Sequence, residues 1–284
     1  MWVAGYSIIE TKRVIIPRTS MDILALKLVL TPLIIGSASL AGRKWGYAVS
    51  GWLVGLPLTS GPVMFFLSLT HPTSFVLTSA QGTLSGGFPL VAFCLAYAWI
   101  SKRYNWLSST AGSLLAYFSL VTVMRNVELP ILPLYGMFIV SALVGIRLMP
   151  NPGTAPANES NPGRWDIPAR IVIGTSFILL LTGFATFLGA RLTGLLATIP
   201  LYTIILTVFA HRSQGATGAI DVLRGLLFGL FAFASFFLVF GLLIEHTDLH
   251  WTFIFSSVAA LLVQGCSLLI LRQQKKPGHM NPAG

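Results

Sequence analysis

The chain has 284 residues, of which 55% are hydrophobic and only 9% are charged. Soluble domains carry roughly 25% charged residues, so this composition excludes an ordinary soluble protein. Apolar runs of about 20 residues recur without the alternation of barrel strands, which predicts an all-α, polytopic helical integral membrane protein. The net charge of +10 does not indicate a nucleic-acid partner, because the basic residues stand singly or in pairs between apolar runs.

Residues 1–20 are too polar to cross a bilayer, because they include Glu10, Lys12 and Arg13. They form either a short interfacial helix or an upstream extension of a protein that starts at Met21. The sequence favours the extension, because Met21 opens directly into an apolar run.

Nine segments are long and apolar enough to be transmembrane helices. Residues 21–148 form a first half with five spans, and residues 168–271 form a second half with four. A linker rich in Pro, Gly and Asn, residues 149–167, joins them, and residues 272–284 form a polar tail that we expect to be disordered. The predicted spans are 22–41, 46–70, 74–100, 106–124, 129–148, 168–189, 192–210, 217–244 and 251–271.

Basic residues predict the orientation in the membrane. Arg and Lys are more frequent in alternate loops, including the linker and the tail, so these should face the cytoplasm and the N-terminus the outside. This bias is strong if translation starts at Met21 and weaker otherwise. We therefore predict a multi-pass protein of the cell inner (plasma) membrane. Tryptophans near span ends indicate an interfacial aromatic belt. They are Trp45, Trp52, Trp99, Trp106 and Trp251.

Two spans contain residues that break helices. Residues 51–62 carry three glycines, two prolines, a threonine and a serine within one of the most apolar parts of the chain. Proline removes a backbone donor and clashes with the preceding turn, so a helix must bend or break here. Residues 191–200 show a weaker version of the same composition. The second and seventh helices are therefore predicted to be discontinuous.

The two breaks belong to an internal repeat. When the chain is aligned with itself so that Thr59 meets Thr198, nine identities appear between residues 53–86 and the second half. Pro62 and Pro200 match one residue out of register. Because five spans precede the linker, the second copy enters the membrane from the opposite side. The halves are thus predicted to form an inverted repeat, as in many secondary transporters.

The first break is the strongest candidate for a substrate-binding site. The residues concerned are Thr59, Ser60, Gly61 and Pro62. A half-helix with Thr59 or Ser60 as N-cap would offer free N–H groups to an anion, whereas the carbonyls before the break would suit a cation. The alternative is a proline kink whose hydroxyls bond back to the helix. Thr198 and Pro200 carry a weaker form of the same pattern.

Three further polar residues are candidates within the spans. Gln81 lies in a run of small residues, 78–87, that favours close helix packing, but its amide needs partners and is a candidate for binding substrate. Asp221 and Arg224, at i and i+3, form either an ion pair at the membrane interface or, through Asp221, a site for a coupling proton or cation. Cys94 and Cys266 are predicted to be small buried hydrophobes.

These observations leave three functions. The first is a secondary transporter or permease for a small solute, working by alternating access of two inverted halves. The second is a non-transporting subunit of a larger complex. The third, which the spacing of acids and histidines disfavours, is a membrane-embedded enzyme acting on lipid. We predict no catalytic residues, no metal and no cofactor. His71 and His211 are expected at opposite membrane interfaces. The small-residue faces are compatible with a homo-oligomer.

Overall fold

The structure is a computed structural model that describes residues 25–26, 28–33, 51–151 and 166–274. Within these ranges all regular structure is helical. Five helices there are long and apolar enough to cross a membrane, and two shorter apolar helices accompany them. The helices are α1 (Ser60–Thr70), α2 (Thr73–Ile100), α3 (Trp106–Met124), α4 (Ile131–Leu148), α5 (Asp166–Gly183), α6 (Ala185–Leu188), α7 (Ala190–Leu196), α8 (Leu201–Leu243) and α9 (Leu249–Gln274).

The helix ends follow the predicted spans. The bounds of α3 are those predicted, and α2, α4 and α9 begin and end within three residues of the prediction. The predicted span 192–210 is divided between α7 and the beginning of α8, and its second part runs on into the predicted span 217–244 within α8. Several predictions lie outside the described residues, and they concern residues 1–20, most of the span 22–41, Trp45, the beginning of the span 46–70, most of the linker, and the end of the tail.

Gly215 divides α8 into two straight parts. Its φ of 65° and ψ of −157° interrupt the helix between residues 201–214 and residues 216–243. Only glycine adopts this combination readily, because a Cβ would clash with the backbone. The second part has the same length as α2, which contains 28 residues.

The centre of the bundle consists of α2 and residues 216–243, which are mostly buried, whereas α3, α4 and α9 are mostly exposed. The exposed residues of these outer helices are largely apolar, with Leu115 70% exposed and Leu262 67% exposed. Exposure of so large an apolar surface to water would be unfavourable, whereas lipid chains cover such a surface in a membrane. The distribution of apolar side chains therefore supports embedding in a membrane.

Glycines in the small-residue run 78–87 allow α2 to touch α7 backbone to backbone. A Cβ on Gly82 would lie 2.4 Å from the carbonyl oxygen of Arg191. A Cβ on Gly194 would lie 2.0 Å from the carbonyl oxygen of Ser79. Side chains would force these helices apart, so the packing role predicted for this run is confirmed.

Two predicted environments are wrong. Cys94 is buried as expected, but Cys266 is exposed on the outer face of α9. Trp52 is not part of an interfacial belt, because it is buried and its Nε1 donates to Ser267 Oγ at 2.8 Å. The amide of Gln264 also donates to the carbonyl of Trp52, at 2.7 Å. These bonds satisfy the polar groups of the segment before the first break, which is why the indole turns inward. The tryptophans that remain exposed at helix ends are Trp99, Trp106 and Trp251.

Candidate functional site

The first break separates a helical stretch, residues 51–54, from α1. Thr59 occupies the predicted N-cap position, but its side chain makes no capping hydrogen bond. An N-cap oxygen normally accepts from the second or third residue of the helix. Here the N–H of Gly61 already donates to the carbonyl of Pro57 at 2.8 Å, and Pro62 has no N–H. The predicted position is therefore correct and the predicted cap is wrong.

The second break lies between the end of α7 and the start of α8, with Pro200 in the N-cap position. Thr198 Oγ1 donates to the carbonyl of Leu195 at 2.7 Å and lies 2.9 Å from the hydroxyl of Tyr117. It also lies 3.1 Å from the carbonyl of Gly86 in α2. The Thr198 side chain therefore satisfies a carbonyl at the end of α7 and connects this end to α2 and α3 by hydrogen-bond contacts.

The two breaks meet at one partly open cavity of about 40 Å³. Thr59 and Ser60 line it from the first break, and Thr198, Pro200 and Thr203 line it from the second. A single water needs roughly 10–15 Å³ by this kind of measure, so the cavity has room for about three waters. In this conformation it is too small for an organic solute.

The cavity lies about midway between the two ends of the bundle. Ser60 is eleven residues from His71, about 16 Å along a helix, and Leu201 is ten residues from His211, about 15 Å. His71 Nε2 lies 3.2 Å from Thr186 Oγ1 at one end. His211 Nδ1 lies 3.2 Å from the hydroxyl of Tyr97 at the other end. Each contact joins a residue before the linker to a residue after it.

Two hydroxyl groups on the cavity wall are unused. Ser60 and Thr203 are each 3% exposed, and neither side chain has a hydrogen-bond partner among the described residues. The backbone N–H groups of the same two residues also lack an acceptor there. The cavity wall therefore presents several donors at mid-depth.

Gly61 and Pro62, which the sequence placed in the same site, face a different space. They line an open apolar groove of about 320 Å³ together with Phe65 and Phe253. The helix has turned away from the cavity by the second and third residues of α1. The structure thus retains Thr59 and Ser60 at the cavity and separates Gly61 and Pro62 from them.

The other polar candidates lie away from the cavity. Gln81 is half-buried in α2, nine residues and about 13 Å from Leu90, the α2 residue that lines the cavity. Asp221 and Arg224 are half-buried near the end of the bundle where α4 finishes. Arg224 donates to the side chain of Asn151 at 3.3 Å, which suits a position near the membrane interface.

Thr203, Tyr117 and Gln264 are site or support residues that the sequence reasoning missed. A signal for Thr203 exists, because residues 57–60 read Pro-Leu-Thr-Ser and residues 200–203 read Pro-Leu-Tyr-Thr. This alignment of the two halves pairs Pro200 with Pro57 instead of Pro62. Nothing local marks Tyr117 or Gln264, since their partners are distant in sequence.

Comparisons with protein-family models, curated proteins and solved structures found no match for this chain. The cavity is therefore the feature of the protein that bears most directly on its function. Its features are two converging helix breaks, unused hydroxyl groups and a position midway through an apolar bundle.

Proposed function

We propose that this chain is a secondary transporter or permease for a small solute, in which two inverted halves expose a central cavity to one side of the membrane at a time. The observation that carries the proposal is the meeting of two helix breaks at one small central cavity. Non-helical backbone at membrane depth is tolerated where it is packed against protein or lines a wet cavity. Paired broken helices at mid-depth are a common way of building the binding site of a secondary transporter.

The order of the helices supports two related halves. Helices α1, α2 and α3 correspond in sequence order to residues 201–214, residues 216–243 and α9. The register that pairs Pro57 with Pro200 also aligns the starts of α2 and α3 with residue 216 and with Leu249. In this scheme α4 stands between the halves and α5 corresponds to the first predicted span. Nine spans then form a four-plus-one-plus-four arrangement.

The directions of the matched helices support an inverted relation. The end of α2 lies beside the end of α4, because Trp99 Nε1 donates to the carbonyl of Leu148 at 3.1 Å. The beginning of residues 216–243 lies at this same end, where Arg224 bonds to Asn151. Thus the last residues of α2 and the first residues of the matched helix, 216–243, lie at the same end of the bundle.

Charge supports a cytoplasmic location for the end of the bundle that carries His211. Among the described residues, more basic residues lie at this end than at the end that carries His71, as the positive-inside rule requires. The His211 end carries Lys102, Arg103, Arg147 and Arg212, and the His71 end carries Arg125 and Arg191. We therefore propose an inner (plasma) membrane protein with its N-terminus outside and its C-terminus in the cytoplasm.

Two contacts between the halves support the proposal of alternating access. His71 with Thr186 closes the outer end, and His211 with Tyr97 closes the inner end. Both contacts are made in the same structure, and the cavity between them is small. Opening one contact while the other holds would admit solute from one side only.

Cysteine labelling tests the proposal. Thr59→Cys and Ser60→Cys are introduced after Cys94 and Cys266 have been replaced by Ala, and a membrane-impermeant thiol reagent is applied from each side. We expect labelling of at least one cavity position, more slowly than at the loop control Arg103→Cys. Leu115→Cys, 70% exposed on an outer face, should stay unlabelled because lipid covers it. Protection of both cavity positions from both sides would overturn the proposal.

A non-transporting subunit of a larger complex is the second candidate. The observation that favours it is the use of Thr198 for packing, since its hydroxyl already bonds to Leu195 and Tyr117. In this case the breaks are rigid kinks and the cavity holds only trapped water. The same labelling experiment separates the two functions, because packed kinks remain protected.

A further inference from the structure

We infer that the solute of the proposed transporter is a small anion, bound in the central cavity between the beginnings of α1 and α8. This inference rests on the proposed function and narrows it to a class of substrate. Three properties of the cavity support it, namely the helix beginnings that face it, the donors left open on its wall and the lack of acidic side chains among the described residues that line it.

Two long helices begin at the cavity. α1 starts at Ser60 and α8 starts at Leu201, and both residues line the cavity. The first turn of a helix carries about half a positive charge, because its N–H groups have no partners within the helix. α1 and the first part of α8 run toward opposite ends of the bundle, so both direct their positive ends to the same place. Together they supply about one positive charge without a basic side chain.

The open donors point to the same ligand. The Ser60 and Thr203 side chains are nine-tenths or more buried and line the cavity, yet their hydroxyls have no partner in the described part of the chain. A buried donor without an acceptor is costly, and an anion offers several acceptors at once. Ser60 and Thr203 occupy matched positions when Pro57 is aligned with Pro200, so one hydroxyl stands at the start of each half-helix.

Two carbonyls near the helix breaks already have donors in the protein, and the described cavity lining carries no acidic side chain. At the end of α7, the carbonyl of Leu195 accepts from Thr198 at 2.7 Å. Before the first break, the carbonyl of Trp52 accepts from the amide of Gln264 at 2.7 Å. The described residues that line the cavity include neither Asp nor Glu. The carbonyls of Leu195 and Trp52 thus have protein donors, whereas the N–H groups of Ser60 and Thr203 have no acceptor among the described residues.

The size of the cavity limits the anion. A volume of about 40 Å³ accommodates an ion the size of a few waters. Halides, nitrate and formate fit this description, and larger anions require the cavity to open. A hydrogen bond to a charged group is stronger than one between neutral groups, so each lost hydroxyl should weaken anion binding about tenfold or more.

Thermal unfolding of the purified full chain in detergent tests this inference. The probes are sodium chloride, sodium nitrate and sodium formate, at an ionic strength held constant with sodium gluconate, and lithium and potassium gluconate as cation controls. We expect at least one small anion to raise the melting temperature in a saturable way. Ser60→Ala and Thr203→Val should raise the half-saturating concentration about tenfold or more.

Two matched variants control for changes in stability alone. Ser68→Ala removes a hydroxyl that bonds to its own helix, at 2.7 Å from the carbonyl of Met64. Thr207→Val removes a buried hydroxyl one turn beyond Thr203 and outside the cavity lining. Both should keep the half-saturating concentration of the unmodified protein.

The outcomes separate this inference from the function on which it rests. The absence of a saturable effect with every anion, saturation by a cation alone, or equal anion affinity in Ser60→Ala and the unmodified protein would each overturn the anion assignment. If cysteine at position 60 still labels from water, only the substrate class has failed. If positions 59 and 60 are both protected from both sides, the transport proposal has failed as well.

Discussion

Replacing Thr198 tests what holds the second break together. Its hydroxyl donates to the carbonyl of Leu195 at 2.7 Å and lies 2.9 Å from the hydroxyl of Tyr117, which is fully buried. Thr198→Val keeps the shape of the side chain and removes both bonds. If these hydrogen bonds hold the second break together, loss of the hydroxyl should destabilise the protein in two ways. It leaves the carbonyl at the end of α7 without this donor, and it leaves the hydroxyl of Tyr117 without this partner.

The expected magnitude follows from these contacts. Leaving a buried polar group without a partner costs about 1–3 kcal/mol. The hydroxyl of Tyr117 keeps a second acceptor, because the carbonyl of Leu195 lies 3.3 Å away. We therefore expect Thr198→Val to lower the free energy of unfolding by about 1–2 kcal/mol, and Tyr117→Phe by about 0.5–1.5 kcal/mol. In the double variant the loss should be smaller than the sum by about 0.6–1.7 kcal/mol, the range of hydrogen-bond energies measured between membrane helices.

Reversible unfolding in mixed detergent micelles measures these energies as a double-mutant cycle. Thr122→Val is the control, because Thr122 lies on the exposed face of α3 and bonds only to its own helix, at 2.6 Å from the carbonyl of Phe118. It should change stability by less than about 0.5 kcal/mol. Additive effects of Thr198→Val and Tyr117→Phe would show that the two hydroxyls are not coupled and would refute this role of Thr198.

Three further predictions concern the kink, the close packing and the closed ends. Gly215→Ala should cost about 1–3 kcal/mol of unfolding free energy because of the positive φ, whereas Gly136→Ala, in α4 with open space around it, should be neutral or stabilising. Gly194→Ala should cost about 1–3 kcal/mol in the same assay, because its methyl group would meet a carbonyl oxygen of α2 at 2.0 Å. A result near zero for either destabilising variant would contradict the geometry. His71→Ala should increase labelling of a cavity cysteine from outside, and His211→Ala from inside; unchanged or reversed labelling would argue against their role in closing the ends.

The sequence predicts the helices and their breaks well because both depend on local properties. An apolar run of sufficient length specifies a span, and Pro57 and Pro200 interrupt the backbone wherever they are placed. Contacts between distant segments leave no such local mark. Tyr117 and Thr198 are 81 residues apart, and Gln264 and Trp52 are 212 apart. The sequence therefore does not predict these side-chain contacts at the two helix breaks.

The face of a helix was harder to predict than its break. Ser60 and Pro62 are two residues apart, yet Ser60 lines the cavity and Pro62 lines the outer groove. Two positions along a helix differ by about 200° in direction. The register that pairs Thr59 with Thr198 rests mainly on matches among leucines and glycines, whereas the residues that line the cavity match in the register that pairs Ser60 with Thr203. Leucine and glycine recur throughout apolar helices, so their matches do not fix which residues share a site.

Paired distance measurements test alternating access most directly. Spin labels at exposed positions, in the background without native cysteines, report the outer end through Ser74 and Phe187 and the inner end through Arg103 and Ser213. Pulsed electron paramagnetic resonance then gives the distance distribution of each pair in lipid nanodiscs. We expect two populations of distances for each pair, and conditions that lengthen the outer distance should shorten the inner one. A single unchanging distance for both pairs would contradict alternating access and favour a rigid subunit.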